Sequence, residues 1–176
     1  MESFSEIMAI GSLVLGALGL IIFFIPKTIE NSLVAFLRKD GTTVLFMVSF
    51  LAVVASLFYS DVLKLEPCKL CWYQRIVMYS TPLLLGVAMI RKEAKQMLPY
   101  VKVLSGVGLA IALFHYASQK IPSLSHSSAI PLNCGVSGPS CTEAYIEVFG
   151  FVTIPLMAVF SFFFVFALAR FLARRQ

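Results

Sequence analysis

Residues 66–76 read EPCKLCWYQRI, and the rest of the chain is organised around this stretch. Cys68 and Cys71 stand three apart where a polar turn gives way to an apolar run. At i and i+3 their sulfurs share one helix face and can close a disulfide. Pro67 suits a first helical position, because the N–H it lacks would be unpaired there anyway. A helix start carries partial positive charge, which favours thiolate over thiol. Arg75, one turn beyond Cys71 on the same face, adds a permanent cation.

The surroundings of this motif are those of a membrane protein. Of 176 residues, 59% are hydrophobic and only 13% charged, and the apolar residues fall in long runs between short charged clusters. The net charge of +5 sits at the ends of these runs, so it reads as a topology signal and not as a nucleic-acid surface. Ile7–Ile25 is an uncharged run of spanning length. Its leading MESFSE is acidic and no A-x-A site follows it, so it is expected to be a retained transmembrane helix and not a signal peptide. Pro26 ends it. Thr28–Lys39 is expected to form a short interfacial helix stopped by Asp40-Gly41.

Four further spans are expected, at Val44–Leu63, Trp72–Ile90, Leu98–Tyr116 and Val148–Leu172, with Pro82 kinking the second of them. Tyr59, Trp72 and Tyr73 fit an interfacial aromatic belt. Between the last two spans lies a polar segment, Lys120–Glu147, rich in Ser, Gly and Pro. It holds a second cysteine pair, Cys134 and Cys141, within NCGVSGPSC. The whole chain, 1–176, reads as one integral membrane domain of all-α class.

Orientation follows from the basic residues. With five spans, one side carries Lys27, Arg38, Lys39, Arg91, Lys92, Lys95, Lys102, Arg170, Arg174 and Arg175, which is ten; the other carries Lys64, Lys69, Arg75 and Lys120, which is four. The rich side is cytoplasmic by the positive-inside bias. Both cysteine pairs then lie at the same extracytoplasmic face, where disulfides persist. This result owes nothing to the cysteines themselves.

Two pairs at one face can exchange electrons by thiolate attack on a disulfide, with no cofactor between them. A structural staple at Cys134–Cys141 and a zinc site built from the four cysteines are the competing readings. Zinc would leave the charge of Arg75 without a purpose. Arg75 could also merely snorkel to the headgroups, and His115 and His126 read as packing or interfacial residues.

The motifs PCxLCWYQRI, HYxxQK and a cysteine pair ahead of GFxTIP resemble the DsbB family, and most of all its BdbC-type branch. The resemblance spans Thr42–Leu172. It implies an antiparallel four-helix transmembrane bundle, to which residues 7–25 add an extra N-terminal span. It also implies a membrane thiol:quinone oxidoreductase of the bacterial cytoplasmic membrane that supports disulfide bond formation. Its partner would be a soluble or membrane-tethered thioredoxin-fold dithiol oxidase of the DsbA-like kind. In that scheme Cys134 and Cys141 take electrons from the partner. Cys68 and Cys71 pass them to a quinone, ubiquinone or menaquinone, with Cys71 and Arg75 nearest the ring. Tyr116 and Gln119 could donate hydrogen bonds to a quinone carbonyl. The Cys134–Cys141 spacing is shorter than in the best-known branch. Vitamin K epoxide reductases share the chemistry but place the loop pair before the CxxC, the reverse of the order here.

The orientation has a direct test. A membrane-impermeant thiol reagent should label the reduced cysteines in intact cells; labelling that needs permeabilisation would reverse the topology.

Overall fold

The computed structural model describes residues 2–26, 32–121, 141–142 and 144–174. Five long helices run through them: α1 (Glu2–Phe24), α2 (Ser32–Leu57), α3 (Lys69–Ile90), α4 (Leu98–Lys120) and α5 (Ile154–Arg174). A π turn at Phe58–Val62 continues α2, and a small hairpin, β1 (Glu147–Val148) with β2 (Val152–Thr153), leads into α5. The elements are helical because a bilayer offers no partner for a free N–H or C=O, and a helix satisfies both within itself.

The chain is an all-α membrane protein. Among the described residues, four segments are long and apolar enough to cross a bilayer: Ser3–Phe24, Val34–Val62, Ala94–Lys120 and Ile154–Arg174. Helix α3 matches them in length but is less apolar, since Gln74, Arg75, Ser80 and Thr81 interrupt it. It continues unbroken through Pro82. Large apolar side chains such as Ile90, Leu83 and Phe24 lie open on the outside, where lipid accepts them and water would not.

Helices α2 to α5 form the antiparallel bundle and α1 is added to its side. The end of α2 meets the start of α3, where Arg75 donates to the Ser56 carbonyl. The start of α3 meets the end of α4, where Gln74 reaches His115. Helix α1 lies along α5 in the same direction: Ala9 packs with Met157, and Phe23 meets Phe163 farther on. At the end of the bundle remote from the cysteines, Leu45, Leu85, Val101 and Leu168 are fully buried together.

Three boundaries differ from the sequence reading. Residues 28–31 of the expected interfacial helix lie outside the described residues; from Ser32 onward there is no stop at Asp40-Gly41, because α2 runs straight through both. Gly41 is there for contact, since a Cβ on it would come 2.8 Å from Leu172 Cδ2. A glycine that lets two helices approach looks the same in sequence as one that ends a helix. The last helix begins at Ile154 and not at Val148, because Phe149 and Gly150 both take positive φ, 56° and 75°, and reverse the chain into a hairpin. Pro67 lies outside α3, whose first residue is Lys69.

The α4–α5 seam depends on Gly108, whose missing Cβ would collide with the Phe162 ring, while a Cβ on Gly106 would meet Phe166 no nearer than 3.6 Å. Gly108→Ala should therefore lower the thermal midpoint in detergent, by overpacking worth about 1–3 kcal/mol. Gly106→Ala should leave the midpoint unchanged or raise it.

Candidate redox site

The site is built at the start of α3. Cys68 is its N-cap: the backbone is extended there (φ −70°, ψ 171°), and Sγ accepts the Cys71 N–H at 3.3 Å. This is the cap role usually filled by an oxygen, and it explains why the helix begins after Cys68. One turn on, the Cys71 thiol comes back over the cap, and the two sulfurs stand 2.9 Å apart as free thiols.

From α4, His115 completes the cluster. It is 2% exposed, with Nε2 3.6 Å from Cys68 Sγ and Nδ1 3.1 Å from Gln74 Nε2. If Gln74 donates to Nδ1, the remaining ring proton sits on Nε2 and points at the sulfur. The Cys71 thiol, hydrogen-bonded to Cys68, lowers the Cys68 thiol from its ordinary value to about 4. Burial opposes the shift, and His115 adds to it by hydrogen bond and charge.

Arg75 donates from Nη2 to the Ser56 carbonyl at 3.1 Å, and its guanidinium stands 5.5 Å from the Trp72 ring centroid. The hydrogen bond ties it to the neighbouring helix α2. Cys141 is disulfide-bonded. It is 2% exposed and shares one apolar cluster with Cys68 and Leu70, walled by Ile111 and Phe114. Cys134 lies outside the described residues. Of the expected residues, the structure thus brings Cys68, Cys71, Arg75 and Cys141 to one end of the bundle.

Cys68, Cys71 and Arg75, but not Cys141, border a cavity of about 630 Å³, lined also by His115 and Gln119 and otherwise mostly by apolar side chains. Tyr116 does not line it; its hydroxyl donates to the Phe151 carbonyl at 3.3 Å. Lys120 and Glu147 pair at 2.6 Å and tie the end of α4 to the hairpin. The sequence reading passes over Gln74 and takes His115 for packing. What marks them is that they are polar residues inside apolar helices, which rarely lack a purpose.

A thiol pair at a helix start, Cys141 packed against it and a membrane-spanning scaffold are the parts of a membrane thiol–disulfide oxidoreductase. Comparison with known proteins gives the family. The family described as "Disulfide bond formation protein DsbB" matches residues 38–172, and the chain belongs to it. Relatives include the probable disulfide formation protein C 1 of Bacillus cereus, 45% identical over 65% of this chain and 78% of that protein. The disulfide bond formation protein C of Bacillus subtilis is 38% identical over 66% of this chain and 80% of its own length. A probable disulfide formation protein of Oceanobacillus iheyensis is 39% identical over 80% of this chain and 95% of its own. No solved structure gives a significant match.

The Cys68 thiolate can be seen directly. With Cys134 and Cys141 replaced by Ser, the reduced protein should show a 240 nm thiolate step far below the ordinary cysteine value of about 8.5. A lowered value means that the thiolate is present above the step and lost as pH falls through it. Cys71→Ala should move the step upward, and His115→Ala should move it upward by less.

Proposed function

We propose that the chain is a thiol:quinone oxidoreductase that reoxidises an extracytoplasmic thioredoxin-fold dithiol oxidase, with both cysteine pairs on the outer face of a bacterial cytoplasmic membrane. The observation that carries this reading is the placement of Cys141 and Cys68 in one buried cluster, with Cys68 and Cys71 also in the lining of a mostly apolar cavity. The described basic residues Arg38, Lys39, Arg91, Lys92, Lys95, Arg170 and Arg174 belong to the opposite ends of the same helices, as the orientation requires.

The residues fit a lipid-soluble quinone. The cavity lies within the usual range for small-molecule sites, roughly 300–1,000 Å³, and its lining is mostly apolar. Two buried hydroxyls of its lining, Tyr59 Oη and Thr153 Oγ1, have no hydrogen-bond partner among the described residues, so its polar inventory has room for a ligand. Cys71, Arg75 and His115 would hold the ring end. A bound quinone supplies an acceptor for two electrons and two protons.

The exchange balances without any other reagent. The partner's dithiol attacks the Cys134–Cys141 disulfide and leaves as a disulfide, so the loop pair is now reduced. The loop pair in turn reduces a Cys68–Cys71 disulfide and is restored. The CxxC dithiol then carries the electron pair, and an acceptor held by Cys71, Arg75 and His115 would take two electrons and two protons as the disulfide closes again. A sulfur held as thiolate leaves readily in such exchanges, and at Cys68 the Cys71 backbone N–H and His115 favour that charge. Cys71 is less buried than Cys68 and is the sulfur nearer the acceptor. Arg75 stabilises negative charge developing there.

A zinc reading has one observation in its favour: ligand atoms of Cys68, Cys71 and His115 all lie within 4.8 Å of one another. Metal analysis of the purified protein with a redox assay separates the two. Purified protein should reduce quinone at the expense of a reduced thioredoxin-fold dithiol. Arg75→Ala should cut quinone efficiency about tenfold or more, the worth of one charge-assisted contact of about 1.5–3 kcal/mol, with exchange between partner and loop pair retained. Stoichiometric zinc without quinone reduction would overturn the proposal.

A further inference from the structure

The family match begins at residue 38, so α1 lies outside it. Yet six residues of α1 line the cavity: Phe4, Ile7, Met8, Gly11, Ser12 and Leu15. The helix is held in place on both sides. A Cβ on Gly16 would come 2.5 Å from the Phe160 ring of α5, so α1 and α5 are in close contact there. At the outer end the Phe4 ring packs on Phe58 with centroids 4.2 Å apart, and on Tyr59 at 5.8 Å.

Gly11 is a glycine of a different kind. A Cβ built on it meets nothing within 4 Å. It serves no helix contact, and it faces the cavity. The other buried hydroxyls nearby are satisfied within their own helices, Ser12 on Ala9 and Ser49 on Leu45, whereas Tyr59, beside Phe4, and Thr153 are not. The unfilled space and the unmatched polar groups therefore lie in the lining of one cavity, and α1 supplies a wall of it.

We propose that α1 forms one wall of the acceptor site and that Gly11 keeps open the room for the apolar tail of the quinone. The extra helix thereby sets which quinones the site admits. This rests on the quinone reading above and concerns residues that reading does not need.

Binding can be measured apart from turnover. The chain has one tryptophan, Trp72, next to Cys71, and a quinone in the cavity should quench it. The oxidised full-length protein is titrated with decylubiquinone. Gly11→Phe should weaken binding roughly tenfold or more, equivalent to about 1.4 kcal/mol. Ile10→Phe, at an exposed position outside the cavity lining, should bind as the unaltered protein does. Photolabelling of the unaltered protein with an azido-ubiquinone should place adducts within residues 4–15, and this decides the matter even if Gly11→Phe does not fold. Equal affinity in a folded Gly11→Phe protein, or adducts confined to α2–α5, would overturn the role of α1 and leave the quinone reading standing. Absence of saturable quenching in the unaltered protein would overturn both.

Discussion

A bilayer penalises every unpaired polar group by several kcal/mol, and the architecture of this chain is largely an answer to that constraint. Helices absorb the backbone, so free polar groups occur where helices start and stop. The redox chemistry is found there. Cys68 caps α3, Cys71 donates back to it, His115 comes from the last turns of α4, and Arg75 takes up the Ser56 carbonyl near the end of α2. One end of the bundle thus gathers the termini of several helices, while the opposite end is filled by Leu45, Leu85, Val101 and Leu168.

How much of this was legible beforehand depended on whether a residue's meaning was local. The CxxC at a helix start and the apolar runs are local signals, and the structure follows them. Gly41 and Asp40 misled because punctuation is ambiguous: a glycine stops a helix or lets a neighbour in, and only Leu172, far along the chain, says which. The start of α3 lies two residues beyond Pro67, at Lys69, because a thiol is not a usual cap and Pro67 is the more familiar start signal. Gln74 and His115 are separated by forty-one positions, so no window of sequence could join them.

The added helix shows the same limit in another form. Helix α1 is apolar on all sides, which suffices to identify a span but gives no face and hence no partner. Its place beside α5 is decided by shape, with Gly16 received by Phe160 and Phe23 by Phe163. Its lining of the cavity follows from that placement and could not be read from α1 alone.

The cap formed by Cys68 has a consequence for redox balance. Its sulfur accepts the Cys71 N–H most strongly as an anion, and closing the Cys68–Cys71 disulfide removes that charge. Helix α3 therefore begins more favourably in the reduced state than in the oxidised one. A cap is worth about 0.5–2 kcal/mol, which corresponds to roughly 10–40 mV for a two-electron couple. By stabilising the reduced form, the helix start makes its own disulfide more oxidising, so secondary structure contributes directly to the reduction potential of this pair.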